Sequence, residues 1–129
     1  MKLDLNTFCE ATGNTLSGLI SDMFTFTEWY IDEKSEGDYR KVRDELKTKR
    51  EDICIEDVYS EMLLAGYVLT ATDPDGEEHD FALSNVEEGI DALFFKCQRA
   101  FADFLTGDQD AVSGLALIDC CIFGEPTFC

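Results

Sequence analysis

Apolar residues recur at helical spacing along most of this chain. Leu16, Leu19, Ile20, Met23, Phe24 and Ile31 approximate one stripe and predict a helix over 14–31, although Thr25, Phe26 and Thr27 favour extended backbone. Residues 32–38 are polar, end in Gly37-Asp38 and read as a loop, with Asp38 placed to cap a helix over 39–51. That helix has a thin apolar face of Tyr39, Val42 and Leu46. Val58, Met62 and Ala65 share a face of a short helix over 55–65, and Gly66 stands where its C-terminal cap belongs. The pattern then changes. Tyr67 to Thr72 and Glu77 to Leu83 are strand-like and flank the turn Asp73-Pro74-Asp75-Gly76, which predicts a β-hairpin over 67–83.

Ser84-Asn85-Val86-Glu87 has the form of a capping box. It opens the most regular apolar stripe of the chain: Val86, Ile90, Leu93, Phe94, Cys97, Phe101, Phe104 and Leu105 predict one helix of about twenty residues, closed by Gly107. Asp108 is placed to cap a last helix over 109–123 that is apolar on most sides, and such a helix is either central to the core or half of an interface. There are no repeats and no inter-domain linker. The expected fold is α+β and mainly α: one domain over 1–129, with four to five helices and one β-hairpin. The length agrees, since domains run about 100–150 residues and the chain has 129.

Charge changes this picture. The chain carries 28 Asp and Glu against 10 Lys and Arg, a formal net charge of −18. With 45% hydrophobic residues it is nonetheless a folding composition rather than an acidic tail. The charge is unevenly placed. Arg40, Lys41, Arg43, Lys47, Lys49 and Arg50 share eleven residues with only Asp44 and Glu45, a local net of +4 that leaves −22 on the rest. From 51 to 91 there are thirteen acids and no Lys or Arg: Glu51, Asp52, Glu56, Asp57, Glu61, Asp73, Asp75, Glu77, Glu78, Asp80, Glu87, Glu88 and Asp91. Surfaces selected only for solubility mix both signs, and unbalanced charge repels itself. Caps, turn residues and helix first-turn acids account for about a third of these carboxylates. The absence of bases remains, so a partner-binding face and a solvated surface both stay open. The candidate binding residues are Glu56, Asp57, Glu61, Asp73, Asp75, Glu77, Glu78, Asp80, Glu87, Glu88 and Asp91. The basic segment 40–50 forms a secondary patch, for which pairing with the protein's own acids is the more economical reading.

B-DNA carries one charge per about 1.7 Å of axis, so eighteen charges span about 31 Å. A globule of this length has a radius of gyration of about 14 Å. The protein therefore approaches the charge density of a duplex of its own size. In size, charge and charge clustering it resembles the small acidic DNA-mimic inhibitors of phages and mobile elements, of anti-restriction or anti-CRISPR type. No sequence motif of such a family is present. The resemblance implies a non-enzymatic inhibitor whose carboxylates occupy a basic nucleic-acid-binding groove on a host complex, acting in the host cytoplasm. Two alternatives are a small cytosolic adaptor dimerising through the apolar helix 109–123, and a divalent-cation-binding protein. Direct binding to nucleic acid is disfavoured by like charge.

Little other chemistry is legible. The first residues hold no signal-peptide core and no run reaches a membrane span, so a cytoplasmic protein with reduced thiols is expected. Cys97 and Cys120 read as small core residues, Cys120-Cys121 as a vicinal pair in the core, and Cys129 as a free terminal thiol. The cysteine spacing suits no zinc site, and His79 is the lone imidazole. Aligning Gly76 with the sixth position of an EF-hand puts alanines at the first and twelfth, so no calcium loop is expected. No nucleotide, zinc-protease or serine-hydrolase motif is present, no cofactor is expected, and His79 reads as a surface residue on an acidic strand.

Overall fold

The computed structural model describes residues 3–32 and 36–127. Helix α1 (Leu5–Thr12) was not expected from the pattern. Asp4 caps it by accepting from Thr7 N at 2.7 Å, Gly13 ends it in the left-handed region at φ 69°, and Leu5 and Phe8 bury its inner face. Helix α2 (Leu16–Phe24), capped by Thr15, buries Leu16, Leu19, Ile20 and Met23. The helix expected over 14–31 thus stops seven residues early, about two turns. Thr27 Oγ1 bonds the Met23 carbonyl, the chain turns, and Tyr30–Ile31 form strand β1. The β-favouring residues at 25–27 prevail over the stripe.

Helix α3 (Glu36–Lys47) begins before Asp38 and includes Gly37, so Asp38 is not its cap, and it ends four residues short of the expected boundary. It lies against α4 (Ile55–Leu64), where Tyr39 and Tyr59 have ring centroids 5.5 Å apart. The hairpin is as expected: β2 (Leu69–Thr72) pairs antiparallel with β3 (Glu78–Phe81), in the register Leu69 with Phe81 and Thr72 with Glu78. Gly76, at φ 86°, donates to the Asp73 carbonyl at 2.9 Å and closes the turn. A third strand was not foreseen: β1 pairs with β2, Tyr30 opposite Thr72, giving a sheet of order β1-β2-β3.

The long helix expected from Ser84 to Gly107 is two helices, α5 (Leu83–Lys96) and α6 (Gln98–Thr106). Cys97 leaves helical geometry at φ −146°, yet its N–H still reaches Leu93 O and its carbonyl still receives Phe101 N, so the apolar stripe continues across the break. The N-cap is Ala82 rather than Ser84, with Asn85 Oδ1 reaching back to Ala82 N at 2.8 Å. The last helix, α7 (Ala111–Phe123), is capped by Asp110 rather than Asp108. It is a core helix, with Ser113, Gly114 and 116–121 buried against α5, α2 and α6. Two glycines set those crossings. A Cβ on Gly89 of α5 would meet Cys121 Cα at 2.8 Å, and one on Gly114 would strike the Asp22 carbonyl. The fold is α+β and mainly α, with seven helices among the described residues. Among them, no helix is long and apolar enough to cross a membrane.

Candidate acidic interface

The candidate carboxylates lie on three elements. Asp75, Glu77, Glu78 and Asp80 are exposed on the turn and β3. Glu88 is exposed on α5, where Glu87 and Asp91 are half-buried, and Glu56, Asp57 and Glu61 are half-buried on α4. Three residues of the expected face have structural work. Asp91 Oδ1 accepts from Leu3 N at 3.2 Å. Asp57 is held by Arg50 at 2.7 Å, by Ser17 Oγ at 2.8 Å and by Cys54 N at 3.1 Å. These bonds, led by that from the Cys54 amide, hold its carboxyl below the ordinary value.

Asp73 departs furthest from expectation, being only 6% exposed. Its Oδ1 accepts from Asp75 N and Glu77 N, each at 2.9 Å, and its Oδ2 lies 2.8 Å from His79 Nε2. The His79 bond first, and then those two amides, keep its carboxyl below the ordinary value against the pull of desolvation. Asp73 builds the hairpin turn and does not face a partner. His79 is correspondingly not a surface residue. Its ring is half-buried between Trp29, at 5.7 Å, and Phe123, at 5.3 Å and nearly perpendicular. The sequence marks neither fact, because an Asp-Pro-Asp-Gly turn needs only local chemistry and the aromatic partners lie about fifty residues to either side.

The basic patch is in part internally paired: Arg50 bridges α3's C-terminal loop to Asp57 of α4, and Arg43 reaches its neighbour Asp44 at 3.2 Å. Lys41, Lys47 and Lys49 are exposed, as is Arg40. A groove of about 560 Å³ opens beside Lys49, Arg50 and Asp57 and has both signs of charge on its walls.

An apolar feature beside the hairpin was not foreseen. Phe26, Pro74, Ala111, Val112 and Leu115 line a hollow of about 280 Å³, with Pro74 contributed by the acidic turn itself. Phe26 is 78% exposed.

The thiols offer little nucleophilic chemistry. Cys9, Cys54, Cys120 and Cys121 are free, and burial is the first cause raising each, with Cys120 pushed up to about 11. Cys97 is disulfide-bonded, against the expectation of a reduced core thiol, and the expectation for Cys129 lies outside the described residues. Compared with family models, curated proteins and solved structures, the chain matches none.

Proposed function

We propose that this protein is an acidic, non-enzymatic inhibitor that occupies the basic nucleic-acid-binding surface of a host defence or DNA/RNA-handling complex. The observation that carries the reading is the set of exposed hairpin carboxylates, Asp75, Glu77, Glu78 and Asp80, within a 41-residue stretch without a single Lys or Arg. Carboxylates held on a short, tightly closed hairpin are presented at low entropic cost, as a ligand for a basic groove requires. The hollow at Phe26 supports the same reading. Charge supplies steering and register, whereas affinity concentrates on a buried aromatic or aliphatic anchor near the centre of a contact. An exposed phenylalanine bordering the acidic turn fits that role. The adaptor alternative needs the apolar surface of α7; most of it is in the core, and Val112 and Phe123 are the large apolar side chains of that helix left exposed.

The test is affinity capture from host lysate by the wild-type chain and by an Asp75→Lys, Asp80→Lys, Glu88→Lys triple variant. These three side chains are exposed, so the variant is expected to keep the wild-type melting curve. Wild type is expected to retain nucleic-acid-binding proteins that the variant does not. Equal retention by the folded variant would contradict the proposal.

A further inference from the structure

The same hairpin brings together a mixed set of metal-ligand atoms. Asp73, Glu77 and His79 each offer one donor atom, and the three lie within 4.8 Å of one another. Asp73 and His79 are already directed at each other, Oδ2 to Nε2 at 2.8 Å. Two ligand atoms on a tetrahedral zinc with bonds of about 2.0–2.2 Å stand about 3.3 Å apart. Admitting the ion therefore requires that this pair open by about half an ångström. The support around it is that of a ligand shell. Asp73 Oδ1 is fixed by two backbone amides, and the His79 ring is clamped between two aromatic rings.

A second, independent observation lies beside the cluster. Trp29 Nε1 is buried and has no hydrogen-bond partner. The pairing of Tyr30 with Thr72 puts Trp29 alongside Asp73, and its ring packs on His79. A buried indole N–H without an acceptor is uncommon, and an indole donates but cannot ligate a cation. Trp29 thus lies against the imidazole of the cluster with an unused donor.

We infer that Asp73, Glu77 and His79 form a binding site for one divalent transition-metal ion of the zinc type, with a fourth position open to water. The imidazole selects against calcium and magnesium, which take oxygen ligands. The set contains no paired cysteines or histidines; its sequence pattern is Asp-x3-Glu-x-His across a hairpin turn.

The test is calorimetric titration of zinc chloride into the full chain, with emission from Trp29 as a second readout, since Trp29 is the single tryptophan. Wild type is expected to bind one ion, with a change in Trp29 emission, and tenfold excess calcium is expected not to displace it. His79→Gln and Glu77→Gln are expected to weaken binding at least about tenfold, the loss that even outer-shell changes cause at such sites. Cys54→Ser, which removes the exposed thiol, is expected to leave it unchanged. No saturable binding by wild type, undiminished binding by His79→Gln, displacement by calcium, or loss in Cys54→Ser would each overturn the assignment. Melting curves keep the glutamine variants interpretable: an unfolded His79→Gln is set aside for Glu77→Gln, whose side chain is exposed. The readout involves no protein partner, so it fails or succeeds separately from the inhibitor proposal.

Discussion

Replacing Ile118 with lysine is expected to unfold the protein, whereas the same change at Val112, six residues earlier on α7, is expected to leave stability within about 0.5 kcal/mol. Ile118 is fully buried and Val112 is 56% exposed. An ammonium at 118 would be removed from water, and an uncompensated buried charge costs about 3–5 kcal/mol, on top of the lost apolar contacts. The whole stability of a domain is about 5–15 kcal/mol. Circular dichroism with thermal melting separates the two variants. The pair also decides what the apolar helix is for. If α7 were half of a dimer interface, Val112→Lys would be the variant that dissociates a dimer in sedimentation, and Ile118→Lys would stay folded.

The second large effect concerns the close approaches of α7. Gly89→Ala and Gly114→Ala are each expected to destabilise the protein by about 1–3 kcal/mol, as overpacking does. The sign is informative, because helix propensity alone predicts the opposite. Alanine in a helix interior is favoured over glycine by about 1 kcal/mol. Here the added Cβ would meet backbone that cannot swing aside: for Gly89, Cys121 Cα and N at 2.8 and 2.9 Å in addition to the Cys121 sulfur, and for Gly114 the Asp22 carbonyl. Denaturant midpoints at unchanged m-value measure the difference. A stabilised Gly89→Ala would mean that α5 and α7 do not pack at this distance.

What could be read from the residues was what local chemistry decides. Asp73-Pro74-Asp75-Gly76 specifies its own turn, and the strands on either side follow from their β-forming residues. The stripes of α4 and α5 mark their buried faces, because period and burial are the same fact. Features that depend on partners distant in the chain were not legible. Strand β1 has two residues and exists because β2 offers it an edge. The break at Cys97 leaves the apolar period intact, so a pattern search passes straight over it. Asp73 and His79 look like ordinary hairpin residues until Trp29 and Phe123 close over the ring. The anionic stretch was legible as composition, but its division into exposed, half-buried and structural carboxylates was not. Asp73 and Asp57 bond their own fold, while Asp75, Glu77, Glu78 and Asp80 stand outward.

Among the candidate carboxylates, the exposed ones lie on the hairpin and the start of α5, next to an apolar hollow. On the inhibitor proposal, the carboxylates would supply speed of association and the apolar anchor residence time.

The most direct measurement is the dissociation constant of the complex with its captured partner, followed across salt concentration and in competition with duplex DNA. If carboxylates take the places of phosphates, affinity falls steeply between about 50 and 200 mM salt, and the duplex displaces the protein. An affinity that is flat in salt, or a complex that binds duplex DNA alongside the protein, would contradict the account.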